Sequence, residues 1–219
     1  MSFGVYCVCI PSRRQHADSF FRAIGVTPTY TPVQLKNFNR EQLISSGLLH
    51  PKCRLNKGEI ACAVSHRNAW NAFIDDGFEY GVIFEDDNVI PTEPVDLPSV
   101  IEKMIAKGCM ILNLSPCWSK PTLCRGYFCK STGVCANAYI LHRDAVDLLT
   151  AKVFPLIRPV DVFKFPNNYE AHPRLFRQQG PHNSELGHDI LGNPEYDFKY
   201  IVIPIAMILM VMMMTRYID

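Results

Sequence analysis

The 219-residue chain has no excess of either charge: 22 Lys and Arg against 21 Asp and Glu leave a formal net charge of +1. No global field favours a polyanion, so nucleic-acid binding is not expected. The last four of its nine cysteines, 117, 124, 129 and 135, contain no C-x-x-C pair, which argues against a zinc ribbon. The full set is odd in number, and several members fall inside expected strands or helices, so reduced buried thiols fit better than a disulfide framework. That usage favours the cytosolic side. A secretory signal is not evident, because Arg13 and Arg14 follow the first apolar run instead of preceding it. The C-terminal apolar run, Ile201 to Met214, has fourteen residues; as a helix it would cover about 21 Å of a hydrocarbon core of about 30 Å. Pro204 weakens its first turn, so a buried terminal element is the expected reading and marginal membrane attachment the alternative. The length is that of one domain, expected over residues 1–197, with the tail at 198–219.

What the chain does contain is concentrated between Gly58 and Asn88. Ile60, Ala63, Val64, Trp70, Phe73 and Ile74 recur at helical spacing, and Gly77 stands where a left-handed residue would end the helix. Tyr80 to Phe84 follows with almost no polar alternation, which suits a strand covered on both faces, as parallel strands in α/β sheets are. Glu85, Asp86 and Asp87 come directly after it. In open α/β sheets the carboxyl edge of the strands is where ligands bind. Three adjacent carboxylates repel one another, so donors or a cation are needed there. Mg²⁺ or Mn²⁺ carrying phosphate oxygens would answer that need. The alternative is an acidic loop facing water.

The pattern G-E-I-A-C-A-V-S-H-x-x-x-W, a spacer, an apolar strand and E-D-D resembles the hallmark of family 25 glycosyltransferases, which include lipooligosaccharide and collagen galactosyltransferases. T-G-V-C-A-N-A-Y-I-L-H-R-D-A resembles the family's second block, and Arg158-Pro159-Val160-Asp161 its P-V-D element. Gln178 to Gly187 resembles the closing block, in which a glutamine precedes Asn-Ser. The resemblance implies a GT-A-like, Rossmann-like α/β fold with a mostly parallel sheet flanked by helices. It also implies an inverting, metal-dependent transfer from a UDP-sugar, galactose being the leading candidate, to a hydroxyl on a glycan or protein.

Residue roles follow from that resemblance. Asp87, with Glu85 and His182, is expected to hold the metal; Asp161 or Asp86 is expected to do the acid–base work. Arg13, Arg14, Ser65, His66, Glu85, Asn183 and Ser184 are expected to position the donor. For His66, beside Trp70, the competing reading is a hydrogen-bonded core residue, and for Glu59 simply a favourable charge at a helix N-terminus. The remaining elements read as a first strand over Gly4 to Ile10, a helix from about Gln15 to Ala23 ended by Gly25, and a short helix at Arg40 to Ser45. Further strands are expected at Met110 to Leu114 and Ala136 to Leu141, a helix at Arg143 to Leu149, and an irregular loop over Ser115 to Thr132. Rival readings are a metal-dependent phosphotransferase or phosphatase, against which no D-x-D follows the first strand, and a non-catalytic binding protein that kept the fold.

Overall fold

The computed structural model describes residues 2–116, 122–130, 135–160 and 168–179. These belong to one unit, Met1–Gln179. Asp161, His182, Asn183, Ser184, the boundary expected at 197 and the apolar tail lie outside the described residues.

The first strand, β1 (Phe3–Val8), is followed by a tight helical turn, Pro11–Arg13, that leads into α1 (Arg14–Ala23). Ala17, Phe20 and Phe21 are the buried face of α1, and Gly25, at φ +70°, takes the left-handed conformation that ends it. A short β2 (Thr29–Thr31) and α2 (Arg40–Ser45) follow. The main helix, α3 (Lys57–Asp75), starts on a capping box: the Asn56 side chain accepts from the Glu59 N–H, and Glu59 accepts from the Asn56 N–H, both at 2.9 Å. Glu59 therefore satisfies an orphan backbone donor as well as the helix dipole. Gly77, at φ +79°, closes the turn into β3 (Tyr80–Glu85).

The chain continues through β4 (Asn88–Val89), α4 (Leu97–Lys107), β5 (Ile111–Asn113), β6 (Thr122–Arg125), β7 (Phe128–Lys130), β8 (Ala138–His142), α5 (Ala145–Val153), β9 (Asn168–Ala171) and β10 (Arg177–Gln178). The main sheet has the order β2-β1-β3-β8-β5-β9-β7-β6. β1 is parallel to both β2 and β3, and β5 is parallel to β9, while β8 enters antiparallel between β3 and β5, and β7 between β9 and β6. Six of the eight strands thus run one way, which gives the mostly parallel α/β sheet of a Rossmann-like fold.

Two apolar layers cover this sheet. Val82 and Phe84 of β3 point to the side packed by Phe20, Ile101, Met104 and Phe176, and Ile83 points to the side packed by Ile60, Trp70, Phe73 and Leu149. Both faces of β3 are dry, which is why its sequence shows no polar alternation.

Two expectations need correction. The stretch 115–132 is not wholly irregular, because β6 and β7 form an antiparallel hairpin turning at Gly126, φ +62°. That hairpin brings Cys124 and Cys129 to a Cα–Cα distance of 4.0 Å, and they form a disulfide. Cys7, Cys9, Cys53, Cys62 and Cys109 are free thiols. Reduced cysteines throughout, and with them the thiol argument for the cytosolic side, are therefore not upheld; the pairing is made by a turn, not by a spacing motif. Among the described residues no helix is long and apolar enough to cross a membrane.

Gly81 shows how closely α3 lies on the sheet. A Cβ at Gly81 would come 2.8 Å from Cγ of Phe73, a fully buried ring. Gly81→Ala is expected to lower stability by about 1–3 kcal/mol, read as a lower urea midpoint with an unchanged denaturant slope.

Candidate active site

The acidic cluster lies at the carboxyl edge of β3, and each of its three carboxylates meets a different set of partners. Asp86 is held at both oxygens: Oδ2 accepts from the Ile10 N–H at 2.9 Å and Oδ1 from Arg13 Nη1 at 3.0 Å. This ties the loop after β1 to the end of β3. Asp87 Oδ1 accepts from Asn137 Nδ2 at 2.8 Å and Oδ2 from Gln178 Nε2 at 2.9 Å, while Arg13 Nη1 lies 3.8 Å away. The Asp87 carbonyl takes the Gln179 N–H at 2.8 Å, beside the antiparallel pair β4 and β10. Glu85 Oε1 contacts His66 Nε2 at 3.0 Å and Cys62 Sγ at 3.5 Å, because Cys62 and His66 are four residues apart on one face of α3.

Burial sets the electrostatics. Asp86 and Asp87 are 7% and 6% exposed. Burial and the neighbouring Glu85 charge push the Asp87 carboxyl up to about 7, against the Gln178 hydrogen bond. Burial also raises Asp86, less far, because the Ile10 N–H and Arg13 oppose it. Glu85 goes the other way: burial would raise it, but His66, Cys62 and Arg13 together hold it below the usual carboxylate range. Adjacent acids on one strand end are thereby given different proton affinities.

Not all the sequence candidates converge. Arg13, His66, Glu85, Asp86 and Asp87 do. Arg14 begins α1 and folds along it, its Nε 3.1 Å from Asp18 Oδ1 and its guanidinium over the Tyr30 ring, whose hydroxyl also donates to Asp18. The Ser65 hydroxyl is engaged locally, donating to the Ala61 carbonyl and accepting the Gln34 N–H, which ties Gln34 to α3. Asn88, Asn137, Tyr139 and Gln178 were not singled out as site residues by sequence reasoning. A signal existed for Asn137, a polar residue entering an otherwise apolar strand, but its partner is 50 residues away.

The residues present fit a hard divalent cation. Asn88 and Asn137 are each 1% exposed, and their side-chain Oδ1 atoms have no hydrogen-bond partner among the described residues. Both side-chain nitrogens are used, Asn137 Nδ2 on Asp87 and Asn88 Nδ2 on the Glu85 and Asn137 carbonyls, so the free atoms are acceptors. Buried amide oxygens and a carboxylate are oxygen donors of the kind that Mg²⁺ or Mn²⁺ takes. A second grouping, Cys62, His66 and Glu85, brings its donor atoms within 4.8 Å of one another.

Residues 12–94 match the family model described as glycosyltransferase family 25 (LPS biosynthesis protein). This stretch of the chain matches glycosyltransferase family 25. It holds Arg13, the whole of α3 and the acidic cluster, and it supports a glycosyltransferase. No curated protein matches the chain. A solved structure titled "Crystal Structure of A197 from STIV" is similar at 15% identity and a TM-score of 0.49, over 86% of this chain and 100% of that one.

In the metal-free protein the raised Asp87 makes the folded state bind more protons than the unfolded state between 3.8 and about 7. Stability should therefore fall as pH rises through that window. Glu85, being depressed, contributes stability that is lost only at lower pH, as pH falls through its folded value. Urea midpoints in EDTA at pH 5, 6 and 7 are expected to decline for the wild type and to lose most of that slope in Asp87→Asn.

Proposed function

We propose that the protein transfers a hexose, with galactose the leading candidate, from a UDP-sugar to a hydroxyl of a glycan or protein acceptor, inverting the anomeric carbon. The observation that carries this reading is the family match over residues 12–94, whose Arg13 and Glu85-Asp86-Asp87 meet at one strand edge beside two buried, unpartnered amide oxygens.

Asp87, Asn88 and Asn137 would hold Mn²⁺ or Mg²⁺, which when bound supplies neutralisation of the leaving diphosphate. Arg13, with its side chain 20% exposed, stands next to that charge and can fork onto a phosphate oxygen. Asp86, with both oxygens taken, orients Arg13 and the loop after β1. Glu85 orients a hydroxyl of the ribose or the sugar. From the resemblance, His182, Asn183 and Ser184 are proposed to meet the diphosphate, and Asp161 to accept the acceptor proton.

Calorimetry with UDP and UDP-galactose tests the donor site. Affinity is expected to fall at least tenfold when metal is chelated, and Asp87→Asn should reproduce that loss with metal present. Equal binding in EDTA would remove Asp87 from the metal site. Asp161→Asn is expected to keep donor affinity while transfer falls by roughly 10² to 10⁴. Near-normal transfer would reassign the base.

A further inference from the structure

Beneath Glu85 runs a buried chain of three side chains. Trp70 Nε1 lies 2.7 Å from the Tyr139 hydroxyl, that hydroxyl lies 2.9 Å from His66 Nδ1, and His66 Nε2 lies 3.0 Å from Glu85 Oε1. Trp70 is 2% exposed, Tyr139 7% and His66 0%. Water is excluded along the chain, so the protons must be placed by these partners alone.

Their placement follows from what each group can do. An indole N–H only donates, so the Tyr139 oxygen accepts from Trp70. The hydroxyl hydrogen then needs an acceptor, and His66 Nδ1 is the partner within reach. Nδ1 must be bare, which leaves the imidazole proton on Nε2, pointing at Glu85 Oε1. A doubly protonated His66 would donate from Nδ1 as well and leave the buried Tyr139 hydrogen without an acceptor. Binding a soft metal through Cys62, His66 and Glu85 would do the same, because Nε2 would have to give up its proton and Nδ1 would carry one. Glu85 Oε1 takes both the His66 and the Cys62 donors, while Oε2 accepts no hydrogen bond among the described residues, and the Glu85 side chain is 18% exposed.

We propose that Tyr139, anchored by Trp70, fixes His66 as the neutral Nε2–H tautomer, and that His66 is thereby a positioning residue that presents Glu85 Oε2 as an acceptor for a ligand hydroxyl. The ligand class rests on the glycosyltransferase reading, in which that hydroxyl belongs to the transferred hexose or to the ribose. The proton placement does not rest on it. Glycine at 81, where α3 lies against β3, and the capping box at Asn56 set the height and start of the helix that carries His66.

Nitrogen NMR of the full chain labelled at histidine, with His66 assigned through His66→Gln, reads the tautomer directly. The expected result is a bare Nδ1 and a protonated Nε2; a protonated Nδ1 overturns the proposal. Tyr139→Phe keeps the ring but removes the hydroxyl that donates to Nδ1; Nε2–H is still held by the Glu85 carboxylate, so the Nδ1 nitrogen shift should move away from that of a hydrogen-bonded acceptor, and an unchanged Nδ1 shift overturns the role of Tyr139. Calorimetry with Mn²⁺ then separates positioning from packing. His66→Gln, which keeps an N–H near the Nε2 position, should hold UDP-galactose affinity within about threefold, whereas His66→Leu should lose about tenfold or more, and equal affinities overturn the proposal. Loss for UDP-galactose alone places the hydroxyl on the hexose, and equal loss for UDP places it on the ribose. A sulfur-to-metal absorption band on adding Co²⁺ that disappears in Cys62→Ser would show a metal in place of the Nε2 proton and also overturn the proposal. If the tautomer is as expected but wild type binds neither UDP nor UDP-galactose, the proton placement is supported and the glycosyltransferase reading fails.

Discussion

Three consecutive carboxylates at the buried edge of an apolar sheet must each find compensation, and the architecture around β3 is organised by that demand. Desolvating one ionised carboxylate without partners is costly, and desolvating three side by side is costlier still. The chain answers with three different arrangements. Glu85 has an imidazole and a thiol, Asp86 a backbone N–H and a guanidinium, and Asp87 two carboxamides with a more distant guanidinium. The least compensated of them, Asp87, is the one whose proton affinity rises most.

That division has a chemical consequence. Asp86, engaged by a backbone N–H and by a guanidinium, clamps the loop after β1 together with Arg13. Asp87 also has both oxygens engaged, but by neutral amides, with the guanidinium 3.8 Å away, so its charge is opposed less directly. Glu85, ionised and held at one oxygen, keeps a directed acceptor. One tripeptide thus meets three sets of partners because separate parts of the chain approach it: the loop after β1, one face of α3, and Asn137 and Gln178.

The family match stops at residue 94, before Asn137 and Gln178 enter. The acidic cluster and α3 therefore carry the resemblance, while the groups that satisfy Asp87 come from the unmatched part of the chain. The disulfide in the β6–β7 hairpin lies there too.

Much of this was legible in the amino-acid order. Local signals placed α3, its closing glycine, β3 and the acidic cluster, because helical spacing, a left-handed C-terminal residue and an unbroken apolar run are properties of neighbouring residues. The α/β class followed from their succession. Sequence could not show that β8 runs antiparallel beside β3, since strand direction is fixed by packing of elements more than 50 residues apart. For the same reason it paired Arg14 with Arg13, although only Arg13 reaches the acids, and it left the Cys124–Cys129 pairing unseen until a hairpin turn brought the two together. The sequence by itself determined which residues bear charge and which segments must be buried. Only the tertiary structure decided which donor meets which carboxylate, and so which acid is tied to the β1 loop, which is held ionised and which has its proton affinity raised, because burial and hydrogen-bond geometry are set between distant segments.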